Sequence, residues 1–250
     1  MTVTLERYEE RFIAFIDILG FKEHISQTLT NSTHFKKVRN VLNFISKLKY
    51  DNDGGVLAQK EIGREITVFS DSIVISYPIS LPSAGFYLLL DVIHLQLEMM
   101  GAGILMRGGI TIGPLCHEDN IVYGPAMIKA YELENQYAIY PRVIVDKEAI
   151  KSAILEGHHP PKEELEYIKK LIKKDIDEHY FVDFMSQWQE IEYEHDYFTA
   201  LDTIKVVIVQ ALSDYIQVPN VLQKYTWLKN YYNNVLDKLN PQYTQERYIP

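Results

Sequence analysis

The sequence predicts an α+β fold, a mixed sheet with helices packed on it, followed by a mainly helical extension. Three observations predict it. Apolar runs of strand length alternate with stretches whose apolar residues recur at helical spacing. Two of the strand-like runs are joined by a tight turn, which marks a hairpin and so an antiparallel part of the sheet. After about residue 147 the strand-like runs thin out and charged, helix-patterned sequence takes over. Hairpins mixed with helices in one stretch indicate a layered α+β arrangement.

The elements follow in order. Residues 11–19, RFIAFIDIL, are mostly apolar and rich in Ile and Phe, as in a buried strand. Gly20 punctuates it. From about Lys22, Ile25, Leu29, Val38, Val41, Leu42, Ile45 and Leu48 recur at helical spacing through two helices, with a break near Asn31 and Ser32. DNDGG at 51–55 is a turn cluster. Residues 64–78 form the hairpin: Ile66, Val68, Ile73 and Ile75 supply strand propensity, and F-S-D-S at 69–72 supplies the turn. Residues 83–100 predict a helix stopped by glycines, and 104–113 a strand. Gly124-Pro125 opens a helix through about Asn135, since proline suits the first turn. Residues 142–146 are a short strand.

Beyond it, HHPP at 158–161 is a loop, 162–174 is helical, 180–185 a short strand, and 194–217 and 219–239 two long helices. The expected division is a domain over 1–150 and a mainly helical extension over 151–250, packed on that domain or on a partner copy.

Composition narrows the function. With 250 residues, 47% apolar, the chain can bury a substantial core. Its net charge of −9 disfavours a nucleic-acid polymer, which wants a basic surface, but leaves room for a single nucleotide. A lone cysteine, Cys116, forbids an intrachain disulfide and suggests a reducing compartment. The N-terminal residues are not those of a secretory signal, and no run approaches the roughly 18 apolar residues of a membrane span. A cytoplasmic protein is expected.

Two aspartates stand out by position. Asp17 ends an apolar strand and Asp71 sits at a hairpin tip. If these strands are neighbours, both carboxylates emerge at one sheet edge, where they repel each other unless a cation lies between them. Hard divalent cations prefer such oxygen ligands. Gly20 and Phe21 then lead into a helix N-terminus, whose free N–H groups suit phosphate oxygens, and Lys22 follows them. Taken alone, Asp17 also reads as a helix cap and Asp71 as a turn residue.

Four motifs add a resemblance. F-I-D-I-L-G-F at 15–21 resembles the first metal motif of class III nucleotidyl cyclases, and F-S-D-S at 69–72 the second. M-R-G-G-I-T-I-G-P at 106–114 resembles the family's next strand, and Y-G-P-A-M-I-K-A-Y-E-L-E at 123–134 the helix after it. The likeness is greatest to the short bacterial subset that makes cyclic pyrimidine nucleotides (uridylate or cytidylate) in antiphage defence. Segments 175–184 and 224–233 resemble its C-terminal extension.

The resemblance implies two divalent cations, Mn²⁺ or Mg²⁺, on Asp17, Asp71 and the Ile18 carbonyl. It implies a head-to-tail homodimer with sites at the interface and an effector reached through the cyclic product. It implies conversion of a pyrimidine nucleoside triphosphate, UTP ahead of CTP, to its 3′,5′-cyclic monophosphate and pyrophosphate.

Departures bear on the details. The family's adenine-reading lysine is Thr67 here, and its Asp or Thr partner is Ile121. Thr67 and Tyr50 become the candidates for meeting the base. The family's Asn and Arg on the helix align with Ile128 and Glu132, so Arg107 and Lys129 are the candidates to replace the missing cation. Purine or relaxed substrate choice, a nucleotide-binding homologue without turnover, and a purely structural dimerisation module are the competing readings.

Overall fold

The computed structural model describes residues 7–48 and 63–250. Tyr50 lies outside the described residues. The core is a mixed sheet in the order β2-β3-β1-β4-β6-β8-β7. Its strands are β1 (Glu9–Ile18), β2 (Glu65–Phe69), β3 (Ser72–Pro78), β4 (Met106–Glu118), β6 (Val143–Val145), β7 (Ile172–Lys174) and β8 (Tyr180–Val182), with β5 (Ile121–Tyr123) folded back on β4. Neighbours are antiparallel except β4 and β6.

Alternation along β1 sorts its side chains between two layers. Phe12, Ala14, Ile16 and Ile18 join the large core with α3 (Ala84–Gly101). Ile13 and Phe15 face the other way, onto α4 (Pro125–Glu132), with Val74, Leu115, Ala126 and Ala130. Arg11 and Asp17 share that second face by the same period of two. The paired glycines in R-G-G-I allow the close packing there. A Cβ at Gly109 would stand 2.5 Å from the Ala130 carbonyl oxygen of α4, and one at Gly108 would stand 2.5 Å from the Phe15 carbonyl oxygen.

The C-terminal part is helical around a small addition to the sheet. It comprises α5 (Lys147–Leu155), α6 (Pro161–Leu171), α7 (Glu194–Asp214), α8 (Pro219–Leu236) and the short α9 (Pro241–Thr244). The expected helix over 162–174 stops at Leu171, because Ile172 to Lys174 pair with β8, and β8 in turn pairs with β6. The loop expected after residue 113 holds more regular structure than the sequence suggests: β4 runs on to Glu118 and pairs with β5.

A buried cation holds these parts together. Arg142, 1% exposed, is ion-paired to Asp175 and Asp177. Its guanidinium lies 5.0 Å from the Tyr140 ring and 5.7 Å from that of Trp227 on α8. The Trp227 indole N–H donates to Asp175 at 2.7 Å.

On the other flank, α1 (Phe21–Thr28) meets α2 (Ser32–Lys47). There His24 and His34 stack with ring planes 10° apart and Nδ1 3.1 Å from Nε2. Burial, then the neighbouring His34 and Lys37, lower the His24 pKa to about 4. An unfolded histidine takes up its proton near pH 6.5, so the unfolded chain binds more protons between the two values. The stability His24 contributes is therefore present above about pH 6.5 and lost as pH falls through 4. Thermal scans between pH 7 and 4.5 should show a smaller fall in Tm for His24→Gln than for the parent. Equal falls would assign the acid sensitivity elsewhere.

Candidate active site

The site lies where β1, β3 and β4 end together. Asp17 pairs across β1 and β3 with Ser72 and across β1 and β4 with Arg107. Asp71 occupies the β2–β3 turn beside Ser70, whose φ of 55° is left-handed. The turn is tied to the strand by the Ile18 N–H, which donates to the Asp71 carbonyl at 3.3 Å. The strand pairing thus brings the two sequence-predicted carboxylates together. Ser72 Oγ donates to Asp17 Oδ1 at 3.4 Å.

The electrostatics follow from this closeness. Burial, the charge of Asp71, a hydrogen bond with Asp71 and the charge of Glu134 push the Asp17 pKa up to about 7, against the opposing pull of Arg107. Arg107 Nη2 lies 3.7 Å from Asp17 Oδ2 and 2.6 Å from Glu134 Oε1. Its Nε is buried and has no hydrogen-bond acceptor among the described residues. A guanidinium with a spare buried donor suits an incoming anion.

Glu134 closes the motif at 123–134 but is not among the candidate site residues read from the sequence. It is 3% exposed and sits in a π turn, Leu133–Tyr137, that continues α4. Burial raises its pKa, while Arg107 and then Lys224 oppose that rise. The widened turn carries its carboxylate into the site, a common use of π turns. The signal in the sequence was indirect: a cation beside Asp17 within a packed layer calls for a counter-charge.

The other candidates are placed as follows. Ile18 is buried, so only its backbone oxygen is available to a ligand. Gly20 caps α1 with a left-handed φ of 75° and Phe21 packs on the large core, while Lys22 is exposed in the first turn. Lys129 is ion-paired with Asp146, which also accepts from Thr111 Oγ1 at 2.9 Å. Thr111 lies four residues along β4 from Arg107, roughly 13 Å at strand rise. Lys129 is therefore held away from the aspartates, at a cavity of about 430 Å³ that Tyr137, His179 and Tyr180 also line.

Thr67 is 1% exposed and fully engaged. Arg11 Nε donates to Ser76 Oγ at 2.9 Å, and Ser76 Oγ lies 2.8 Å from His117 Nδ1. His117 Nε2 lies 2.9 Å from Thr67 Oγ1, which donates to the Asp119 carbonyl at 2.8 Å. Counting protons assigns the tautomer. The Thr67 hydrogen is spent on Asp119, so His117 donates from Nε2 and accepts from Ser76 at Nδ1.

A pair of neighbouring carboxylates with a backbone carbonyl alongside is a hard oxygen donor set, and the repulsion that lifts Asp17 is what a cation would relieve. The residues present therefore fit divalent ions. Among the described residues no group of three or more His, Cys, Asp or Glu converges as a complete protein-only metal cage. Such ions would draw their remaining ligands from water or phosphate oxygens.

No protein-family model matches the chain, and no curated protein does. Several solved structures are similar. The adenylyl cyclase CyaB from P. aeruginosa is 17% identical, with 71% of this chain and 96% of that one covered and a TM-score of 0.44. The guanylyl cyclase domain of a rhodopsin fusion protein from the aquatic fungus Blastocladiella emersonii is 14% identical over 71% and 96%, with a TM-score of 0.46. A bacterial light-regulated adenylyl cyclase is 14% identical over 79% and 100%, with a TM-score of 0.44.

Proposed function

We propose that the chain is a nucleotidyl cyclase acting on a pyrimidine nucleoside triphosphate, UTP ahead of CTP. It would form the 3′,5′-cyclic monophosphate as a second messenger of antiphage defence in the cytoplasm. The observation that carries the reading is the juxtaposition of Asp17 and Asp71 at one sheet end, with Arg107 beside them. The four motifs support the choice of reaction, and the pyrimidine subset's motifs support the base.

In the reaction the ribose 3′-oxygen bonds to the α-phosphorus, the bond from that phosphorus to the bridging oxygen breaks, and pyrophosphate leaves. The hydroxyl proton passes to water. Asp17, Asp71 and the Ile18 carbonyl would hold two divalent ions, Mn²⁺ or Mg²⁺. Bound there, such ions supply Lewis-acid activation of the 3′-hydroxyl and neutralise phosphate charge. Arg107 offers its unpaired Nε–H to an oxygen of the reacting phosphates, where charge builds up. Glu134 holds the guanidinium in place. The first N–H groups of α1, after Gly20, and the Lys22 ammonium are placed for the outer phosphates.

Thr67 has its hydroxyl committed inside the chain, so it meets a base only if the β4–β5 hairpin shifts. A head-to-tail homodimer is part of the proposal. Its surface would be the apolar strip beside the site, where Ile121, Ile128 and Tyr131 are exposed. No helix among the described residues is long and apolar enough to cross a membrane.

The test is direct. The purified protein is incubated separately with ATP, GTP, CTP and UTP plus Mn²⁺, and products are identified by chromatography and mass. A cyclic monophosphate from a pyrimidine triphosphate supports the proposal. A purine product alone overturns the base assignment, and no product overturns the cyclase reading in favour of a binding-only homologue. In the same assay Arg107→Ala should lower the rate at least about 100-fold, the scale of one lost charge-stabilising donor. A smaller fall would remove that role from Arg107.

A further inference from the structure

A pair of histidines stands apart from the aspartate site. His24, in the first turn of α1, and His34, in the first turn of α2, meet nitrogen to nitrogen. Nδ1 of the first lies 3.1 Å from Nε2 of the second, with ring centroids 5.2 Å apart. No residue of α1 is fully buried, so apolar packing holds this helix weakly. The His24 N–H donates to the Gly20 carbonyl at 3.1 Å, which links the pair to the turn after β1.

The span between the nitrogens decides what the pair can hold. Two imidazole ligands on one transition-metal ion, each about 2.0–2.1 Å from it, stand roughly 2.9–3.4 Å apart for angles between square-planar and tetrahedral. The observed 3.1 Å falls inside that interval. A small tilt of the rings turns both lone pairs toward one point. The proton now shared between the facing nitrogens passes to an outward ring nitrogen, so each neutral ring keeps one N–H and offers one bare nitrogen. Burial, the first cause in each case, lowers both pKa values, so at pH 7 neither ring carries a competing proton. Lys37 carries an opposing charge, but its ammonium donates to the Gly103 carbonyl at 3.0 Å.

We infer that His24 and His34 form a site for a borderline transition-metal ion of the Zn²⁺ kind, which clips α1 to α2. Among the described residues no group of three or more His, Cys, Asp or Glu gathers there, so water completes the shell and the ion is exchangeable. It differs in kind from the ions that fit Asp17 and Asp71: imidazole nitrogen suits Zn²⁺, Cu²⁺ and Ni²⁺, whereas carboxylate oxygen suits Mg²⁺ and Mn²⁺. The clip holds in place the helix that carries Lys22, and it stands whether or not the chain is a cyclase.

The experiment is calorimetric titration of the full chain with Zn²⁺ in excess Mg²⁺, which occupies hard oxygen sites and leaves imidazole open. His24→Gln and His34→Gln should each weaken Zn²⁺ binding at least about tenfold, the least that losing a ligand costs. Asp17→Ala should stay within about threefold of the parent. Unchanged binding by either histidine variant overturns the inference, as does a parent protein that does not bind Zn²⁺. Binding lost in Asp17→Ala places the ion at the aspartates and overturns it too.

A second measurement uses the unmutated protein. Zn²⁺ should shield His24 and His34 from modification by diethyl pyrocarbonate, read peptide by peptide by mass spectrometry, while the exposed His195 is modified as before. Equal modification of the pair with and without Zn²⁺ overturns the inference even if a histidine variant fails to fold. Zinc binding that depends on the pair, without a product from any nucleotide, would retain the inference and remove the cyclase reading alone.

Discussion

Asp17→Ala is expected to lower product formation at least about a thousandfold while leaving the protein folded, and Asp71→Ala to do the same. The two carboxylates share one small volume: β1 delivers the first, and the turn held by the Ile18 N–H delivers the second. Either alone is an ordinary surface ligand with weak hold on a divalent ion. Together they form a site whose repulsion is relieved when a cation enters or when one carboxylate takes up a proton.

Stability should move the other way. Removing one negative charge from the pair relieves repulsion, so Tm in metal-free buffer should hold or rise. Mn²⁺ should raise the Tm of the parent protein by mass action and leave that of Asp17→Ala unmoved. Full activity in either variant, measured by product mass, would remove the paired-carboxylate reading. A collapse of Tm in both would reassign the aspartates to folding.

Arg142→Ala has the largest expected effect on stability, about 3–5 kcal/mol, the range for a buried ion pair deprived of one partner. The guanidinium is almost wholly enclosed, and its loss strands the carboxylates of Asp175 and Asp177 beside Tyr140 and Trp227. Urea denaturation should show the midpoint falling. The double variant Arg142→Ala/Asp175→Ala should be less destabilised than the sum of the two single changes, because an uncompensated charge is then gone. An effect below about 1 kcal/mol would place the cohesion between sheet and extension in apolar packing instead.

Much of the central sheet was legible because its signals are local. The strand with Asp17 is an unbroken apolar run, and the hairpin turn falls at Ser70 and Asp71 as F-S-D-S suggests. β5 was hidden: three residues beside a polar loop carry no period, and only the returning β4 gives them a partner. β7 read as helix because Ile172 continues the apolar spacing of α6, and pairing with β8 overrides it.

The site divides the same way. Asp17 and Asp71 are marked by where apolar runs end. Glu134 is not, since a π turn changes which face a residue presents and the sequence does not announce it. Thr67 shows the converse: its type was legible, but the commitment of its hydroxyl to His117 and Asp119 depends on how the β4–β5 hairpin folds over the sheet.

The pairing of β8 with β6 has a consequence for how the protein is made. When β6 leaves the ribosome, its outer edge has no neighbour, and Val143, Ile144 and Val145 offer an apolar template for stray pairing. The partner strand and then α8 follow at roughly 5–20 residues per second, so the nascent chain waits several seconds with that edge open. Changes that delay elongation across the segment between β6 and α8 should lower soluble yield more than equal delays placed before β4.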